Sequence, residues 1–191
     1  MHLTIIANPI AGRGRAYRSL QRYGRQWPHP DWQFEMLPTR GPNHAGLLAR
    51  ELLAHPPDLL AVCGGDGTMN EIATMVPEPP FPVALLPAGT ANVLARELGL
   101  PLNPVRALKI ALKGKARKID LGLLGPGLRR RFLFVAGIGF DAYVVSQVRP
   151  ALKSKLGIVA YAVALLECLQ KYHFPEFQVT AGGRTFTATS C

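Results

Sequence analysis

The sequence has few cysteines, no long apolar run and no recognisable export signal. Its three cysteines, Cys63, Cys168 and Cys191, are odd in number and far apart, which argues against a disulfide framework or a cysteine-based zinc site. The longest uncharged apolar stretch, 156–166, falls short of the ~20 residues that a membrane-spanning helix needs. The N-terminus has no basic region and reaches Asn8-Pro9 too soon for the apolar core of a signal peptide. We therefore expect a cytoplasmic protein in a reducing compartment.

Three common catalytic patterns are also missing. No G-x-x-x-x-G-K-[ST] loop is present, which argues against a P-loop ATPase, and no G-x-S-x-G turn supports serine hydrolase chemistry. The five histidines are scattered and do not suggest a metal hydrolase. The segment 137–142, Gly-Ile-Gly-Phe-Asp-Ala, matches a dinucleotide-binding pattern, but no acidic residue follows at the spacing of about 20 residues that this pattern requires.

Positive charge is concentrated in the second half of the chain. The net charge is +10, yet residues 1–100 hold 8 arginines and 8 carboxylates, whereas residues 101–191 hold 14 cations and 4 carboxylates. Such an asymmetry fits an anionic partner, either nucleic acid or an anionic membrane surface, and equally fits a solvated basic face. Composition alone does not choose among the three.

The first half of the chain alternates between strand and helix patterns. Short apolar or alternating runs predict strands over 3–7, 32–37, 59–63 and 83–86, and helical spacing predicts helices over 13–26, 43–54, 69–75 and 91–98. This alternation is typical of an α/β fold with a parallel sheet. We predict an N-terminal nucleotide-binding domain over 1–115.

The second half has a different pattern and predicts a β-rich domain over 116–191. Strands are expected over 119–124 and 131–136 around a Gly-Pro-Gly turn at 125–127, with a helix over about 156–172. A two-residue turn at Gly182-Gly183 then predicts a hairpin. Since the chain stops inside an alternating strand, we expect this second domain to be incomplete.

The strongest chemical signal is the run Gly64-Gly65-Asp66-Gly67-Thr68-Met69-Asn70 between a predicted strand and a predicted helix. Glycines let phosphate oxygens approach backbone N–H groups, and a helix N-terminus adds positive potential. A carboxylate among phosphates is repulsive unless it meets a metal ion or a hydroxyl proton. Asp66 is therefore either a contact to Mg²⁺-bound water, a group that polarises an attacking hydroxyl, or a cap of a helix beginning near Met69.

Two further loops repeat this arrangement after other predicted strands. They are Asn8-Pro9-Ile10-Ala11-Gly12-Arg13-Gly14 and Leu86-Pro87-Ala88-Gly89-Thr90-Ala91-Asn92. Each alone is also compatible with an ordinary strand-to-helix turn. Because the carboxyl ends of parallel strands meet at one edge of the sheet, we expect all three loops to converge on one site.

Together these segments resemble the diacylglycerol kinase catalytic-domain family, which includes bacterial lipid kinases and the sphingosine and ceramide kinases. The likeness continues in family order through 37–45, Ile119-Asp120-Leu121-Gly122, 137–142 and 155–161, and so covers nearly the whole chain. The GGDGT element is shared with NAD kinases, whereas the later segments favour the lipid kinases.

The resemblance implies an ATP-dependent lipid kinase that transfers the γ-phosphoryl group to a lipid hydroxyl, such as that of diacylglycerol, with Mg²⁺. Asp66 would be the main catalytic carboxylate, Asp120 a supporting one, and Asp141 either a lipid head-group contact or a helix N-cap. The metal ligands and a further catalytic carboxylate of bacterial members would lie beyond Cys191. The residues expected to line the nucleotide site are Asn8, Pro9, Ile10, Ala11, Gly12, Thr39, Gly64, Gly65, Asp66, Gly67, Thr68, Met69, Asn70 and Thr90.

Partners and alternatives follow from the same resemblance. We expect the enzyme to sit peripherally on the inner face of a membrane, where it meets its lipid substrate and an anionic surface, and not to bind nucleic acid. The alternatives are a catalytically incomplete fragment that binds nucleotide or lipid, an NAD kinase-like enzyme, and a nucleic-acid binder built on the basic second half. Sparse aromatic residues among the basic ones argue against the last.

Overall fold

A computed structural model describes residues 1–125, 130–148 and 159–189. The chain divides into two compact units, 1–134 and 135–191. In the first unit, four parallel strands lie in the order β2-β1-β3-β4. The strands are β1 (His2–Ala7), β2 (Gln33–Pro38), β3 (Leu59–Gly64) and β4 (Val83–Pro87). This sheet confirms the predicted α/β class.

In the described part of the first unit, five α-helices cover the two faces of this sheet. They are α1 (Arg15–Arg25), α2 (His44–Glu51), α3 (Asp66–Met75), α4 (Val93–Glu97) and α5 (Pro104–Ala111). Side chains alternate between the faces along each strand. Leu3 and Ile5 pack with residues of α1 and α5, such as Leu20 and Leu108. On the other face a second cluster joins the strands to α2, α3 and α4, with members Ile6, Leu60, Val62, Ala49, Ile72 and Leu94.

Helices α2 and α4 are shorter than the predicted 43–54 and 91–98, and two other helices of the first unit differ more from the sequence expectation. Helix α3 begins at Asp66, three residues before the predicted start at Met69, because Gly65 adopts the extended N-cap conformation. Helix α5 was not predicted at all. It begins where the Asn103 Oδ1 accepts a hydrogen bond from the Arg106 N–H at 3.0 Å and Pro104 occupies the first helical position, a combination that starts helices well.

A short antiparallel hairpin, β5 (Gly122–Leu124) and β6 (Arg130–Phe132), ends the first unit. Both strands are shorter than the predicted 119–124 and 131–136, and part of the expected turn at 125–127 lies outside the described residues. Since the hairpin falls in the compact unit 1–134, that unit extends past residue 115. The domain boundary at 115/116 stays a prediction.

The second unit contains helices α6 (Phe140–Gln147) and α7 (Val159–Leu169), followed by the hairpin β7 (Glu176–Ala181) and β8 (Arg184–Thr189). The hairpin turn is the predicted Gly182-Gly183, with φ angles of 54° and 75° that favour glycine. Most of the segment 155–161, which contributed to the family resemblance, lies outside the described residues. Within the ranges described, no helix combines the length and apolar character needed to cross a membrane.

Candidate functional site

The loops after the parallel strands meet at the edge where the strand order reverses. The chain moves from β1 outward to β2, then returns past β1 to β3, so the crevice between β1 and β3 is the position where such sheets bind ligands. The loops are tied together there by backbone hydrogen bonds. The Asn8 N–H donates to the Cys63 carbonyl at 2.8 Å, and the Thr39 N–H donates to the Ala7 carbonyl at 2.8 Å.

The three glycine-bearing loops are in direct contact. A methyl group added at Gly12 would lie 2.6 Å from the Ala88 carbonyl oxygen, and one added at Gly89 would lie 2.6 Å from the Gly65 Cα. The first contact joins the β1 loop to the β4 loop, and the second joins the β4 loop to the β3 loop. Glycine is thus required where backbone meets backbone, and the expected convergence of the loops is present.

The β1 loop folds as a tight left-handed turn that leads into α1. Gly12, Arg13 and Gly14 have φ angles of 54°, 60° and 72°. The Arg15 Nε donates to the Gly12 carbonyl at 3.4 Å, and the Arg18 Nη2 donates to the Arg13 carbonyl at 3.1 Å. Two arginines therefore brace the loop and place positive charge beside it.

Asp66 lies at the first position of α3, half-buried, and connects the β3 loop to the β4 loop. Its Oδ1 accepts a hydrogen bond from the Leu94 N–H at 3.2 Å, in the first turn of α4. Asp66 therefore caps α4 and not its own helix, unlike the capping alternative drawn from the sequence. An ionised carboxylate has about four lone-pair sites, so one N–H leaves capacity for a further donor or a metal ion.

The N-terminus of α3 is suited to bind an anion. Its N-cap, Gly65, supplies no side-chain acceptor, so the first N–H groups of this ten-residue helix have no capping side chain. Gly67 is open: a methyl group there would meet nothing within 4 Å. Thr68 is buried against Gly64, where a Cβ would lie 2.5 Å from the Thr68 Cβ. Only glycine fits at position 64.

One turn further along α3, the Asn70 side chain has a buried carbonyl oxygen without a hydrogen-bond partner among the described residues. Asn70 is four positions after Asp66, so both side chains project from the same side of the helix. A buried acceptor without a donor is costly. A ligand N–H or O–H group would satisfy it.

Asn92 is a structural residue that the sequence did not single out. Its amide forms a reciprocal pair with Gly89: the Gly89 N–H donates to the Asn92 Oδ1 at 2.8 Å, and the Asn92 Nδ2 donates to the Gly89 carbonyl at 2.9 Å. Asn92 is buried, with a left-handed φ of 50°, and is the N-cap residue of α4. The predicted helix over 91–98 included Asn92, and the available signal was only its residue type, since asparagine tolerates both an N-cap position and a left-handed φ.

A cavity of about 320 Å³ lies between the first turns of α1 and α5 and the glycine loops. Among the predicted residues only Gly12 lines it, and Asp66 does not. Arg15 and Ser19 face it one helical turn apart. Its lining is Gly12, Arg15, Ala16, Ser19, Pro87, Ala88, Gly89, Asn92, Leu102, Asn103 and Pro104.

Cys63 lies beside these loops at the end of β3, but its thiol is expected to be unreactive. It is fully buried, and burial raises the pKa of its thiol to about 12. A thiol that stays protonated is a poor nucleophile. The site is therefore built from backbone amides, one carboxylate and arginines.

Comparison with known proteins fits this arrangement of loops. Residues 2–124, well over half of the chain, match the family model of the diacylglycerol kinase catalytic domain. The chain belongs to this family. The match covers all three glycine loops and the parallel sheet that carries them.

Two curated diacylglycerol kinases and one solved structure illustrate the similarity. The chain is 29% identical to the Bacillus subtilis enzyme over 185 residues, covering 95% of this chain and 60% of that one. It is 28% identical to the Mycobacterium tuberculosis enzyme, covering 95% and 59%. A crystal structure of a diacylglycerol kinase from Bacillus anthracis superposes with a TM-score of 0.69 at 26% identity, covering 98% and 61%. The chain thus spans about three fifths of the length of these relatives.

Other residues expected from the family resemblance lie apart from the loop contacts. Thr90 and Ile10 are exposed at the loop tips. Asp120 is exposed in the irregular segment before β5. Asp141 lies in the second unit, exposed in the first turn of α6, where Gly139 and not Asp141 is the N-cap. Its carboxylate folds towards Gly137, where a Cβ would lie 2.5 Å from the Asp141 Oδ2.

Proposed function

We propose that this chain is the nucleotide-binding part of an ATP-dependent lipid kinase, which transfers the γ-phosphoryl group to a lipid hydroxyl such as that of diacylglycerol. One observation carries the proposal. Three glycine loops touch at the carboxyl edge of the sheet, and the Asp66 carboxylate after the β3 loop bonds to the start of α4, in a chain that belongs to the diacylglycerol kinase family. Phosphoryl transfer depends mainly on positioning and charge stabilisation, which these elements are suited to supply.

The polyphosphate is expected to lie against the N-terminus of α3. Gly67 leaves that end open, no side chain caps the first N–H groups of α3, and Arg15 adds a cation beside the β1 loop. The Asn70 Oδ1 would accept a hydrogen bond from the bound nucleotide or the acceptor alcohol. In the transfer step, the lipid oxygen forms a bond to the γ-phosphorus as the bond to the leaving ADP oxygen breaks.

Asp66 is the residue whose charge the reaction needs. It would meet either metal-bound water or the hydroxyl of the lipid, whose proton leaves during transfer. Mg²⁺ commonly binds through one or two carboxylates together with substrate phosphates, so a single carboxylate at the loops fits it. When bound, Mg²⁺ would neutralise phosphate charge. No group of three metal-ligating side chains occurs within the described parts of the chain.

The direct test measures transfer of labelled γ-phosphate from ATP to diacylglycerol in mixed micelles, with Mg²⁺ or with EDTA. We expect Mg²⁺-dependent formation of phosphatidic acid. Transfer to NAD instead would refute the lipid acceptor. Calorimetry with Mg-ATP separates the steps: binding without transfer supports the nucleotide site and refutes turnover by this chain, whereas absence of binding refutes the proposal as a whole.

Two substitutions at Asp66 separate its chemical role from its structural role. Asp66→Asn keeps an oxygen that can accept from the Leu94 N–H, so the fold should survive, while loss of the charge should lower kcat by roughly 10²–10⁴-fold. Asp66→Ala also removes the cap of α4 and should cost about 1 kcal/mol of stability. Glu51→Gln, a carboxylate removed at the exposed end of α2, is the control for loss of charge elsewhere. Full activity in Asp66→Asn would contradict the proposed role.

A further inference from the structure

The two helices on one face of the first unit carry only positive charge. Helices α1 and α5, which cover the same side of the sheet, contain six cations and no carboxylate. Lys113 follows directly after α5. The cations of the two helices are Arg15, Arg18, Arg22, Arg25, Arg106 and Lys109.

The opposite face has the opposite balance. Helices α2, α3 and α4 carry two cations and four carboxylates, a net charge of −2. The sheet therefore separates the charges of this unit into a basic side and an acidic side. The sequence hid this separation, because the α1 arginines cancel against the carboxylates of α2 to α4 in the zero balance of residues 1–100.

The cations of α1 and α5 lie on neighbouring helices, and the surface that these two helices present is named here the α1–α5 face. The Lys109 Nζ lies 5.4 Å from the centre of the Tyr23 ring, so the two helices are neighbours. The Arg22, Arg106 and Lys113 side chains are exposed. None of these three forms an ion pair with any residue that the structure describes. Such a concentration of uncompensated like charge favours an anionic partner.

We propose that the α1–α5 face docks on an anionic lipid bilayer. Two exposed apolar side chains lie among or beside its cations, Ile110 at 52% exposure and Leu102 at 45%. A surface with cations around exposed aliphatic groups binds anionic head groups and inserts shallowly between them. The proposal rests on the proposed function in one respect: a lipid kinase must reach an acceptor held in a membrane.

The position of the cavity supports this orientation. It lies between the first turns of α1 and α5, and Arg15, Ser19 and Pro104 of these helices line it. A bilayer on the α1–α5 face would therefore lie beside the cavity and the adjoining glycine loops.

A nucleic acid fits this face less well. Single-stranded binding sites need exposed aromatic rings on which bases stack. The aromatic residues of α1 are Tyr17 and Tyr23, both half-buried, and Lys109 lies over the Tyr23 ring; α5 has none. The face thus offers charge and aliphatic groups but no stacking platform.

The test measures co-sedimentation of the 191-residue chain with phosphatidylcholine vesicles containing no or 30% phosphatidylglycerol, without nucleotide, over a series of NaCl concentrations. We expect binding only to the anionic vesicles and weakening with salt. The variant Arg22→Gln/Arg106→Gln/Lys113→Gln should bind roughly 100-fold more weakly, at about 5-fold per cation. Ile110→Ser should weaken binding without changing its salt dependence.

The matched control removes three exposed cations elsewhere, in Arg50→Gln/Lys171→Gln/Arg184→Gln. Nearly unchanged vesicle binding by this control supports the assignment. Equal losses in both triple variants would overturn it, as would the absence of vesicle binding, or binding to DNA but not to vesicles. Circular dichroism of each variant must first show a native fold, and a triple variant that fails to fold is replaced by its three single substitutions.

A phosphotransfer assay in uncharged detergent micelles distinguishes this proposal from the proposed kinase function. We expect the α1–α5 triple variant to keep its transfer rate there and to lose it on anionic vesicles. Vesicle binding by a chain that never transfers phosphate would sustain the docking face while refuting the kinase. Transfer in micelles without any vesicle binding would support the kinase function and refute the docking face.

Discussion

Gly89→Ala should force the glycine loops apart. The added methyl group would lie 2.6 Å from the Gly65 Cα and 3.0 Å from the Asn92 Oδ1. Gly89 is not among the glycines with positive φ, so alanine has no backbone conformational strain at this position. The whole effect of the substitution must come from the collision with neighbouring backbone, which cannot swing away as a flexible side chain would.

The magnitude follows from the cost of overpacking. Inserting a methyl group where backbone must shift costs about 1–3 kcal/mol. For a chain of this size, 1 kcal/mol corresponds to roughly 2–4 °C in Tm, so we expect a decrease of roughly 2–12 °C. Because the β3 and β4 loops would separate, Mg-ATP affinity should fall as well.

Thermal denaturation followed by circular dichroism, together with calorimetric titration of Mg-ATP, measures both effects. Gly67→Ala is the matched control: it adds the same methyl group in the first turn of α3, but nothing lies within 4 Å of it. Since Gly67 lies within α3, alanine there should leave stability unchanged or raise it by up to about 1 kcal/mol. Any loss of Mg-ATP affinity in this control would then report contact between the ligand and position 67.

The result that would refute the reasoning is specific. If Gly89→Ala kept both its Tm and its Mg-ATP affinity, the close approach of Gly65 and Gly89 would not exist in solution. If Gly67→Ala were destabilised as strongly as Gly89→Ala, glycine would be needed in this region for a reason other than the collision.

Three further predictions concern single buried groups. Asn92→Ala removes both hydrogen bonds to Gly89 and should lower the free energy of unfolding by about 1–3 kcal/mol in urea denaturation, whereas Asn92→Asp, which retains an acceptor, should lose less. Leu108→Ala, in the core beneath α5, should cost about 2–5 kcal/mol by the same assay, and a loss below 1 kcal/mol would contradict its burial. Because burial raises the pKa of Cys63 to about 12, the folded thiol stays protonated at a pH where the unfolded thiol, with its ordinary pKa of 9.0, ionises. The contribution of the buried thiol to the free energy of unfolding is therefore complete below pH 9 and is lost as the pH rises towards 12. A Cys63→Ala variant should therefore show a shallower loss of stability over this alkaline range, and alkylation of native Cys63 at pH 8 should be slow by mass spectrometry.

Local pattern was sufficient to predict the parallel sheet and the loops that carry the site. The strands at 3–7, 59–63 and 83–86 are short, mainly apolar runs with a glycine or proline within two residues of their carboxyl ends, and a buried parallel strand has that composition. The Gly182-Gly183 turn was equally clear, because its two positive φ angles select glycine. Since parallel strands end at one edge, convergence of the loops followed from strand type alone.

Helix boundaries and helix α5 are harder to predict from the sequence, because weak local preferences decide where a helix begins and ends. Gly65-Asp66-Gly67 has the composition of a tight turn, yet the chain is already helical from Asp66, and Thr68 packs against Gly64 in the first turn of the helix. For α5 the Asn103-Pro104 start signal was present in the sequence. The apolar spacing over only eight residues is a weak helical pattern, and it does not predict the helix by itself.

The sequence by itself determined the family and the chemical groups that are available to the site. Glycines allow close backbone approach, one carboxylate can meet a metal ion or a hydroxyl, and arginines can bind phosphate. Only the tertiary structure decided which of these groups meet. It joined Asp66 to the start of α4, enclosed Asn92 with Gly89, and placed the cations of α1 beside those of α5 although about 80 residues separate them. The physical reason is that pattern and propensity act over a few residues, whereas burial of the two sheet faces fixes which distant helices become neighbours.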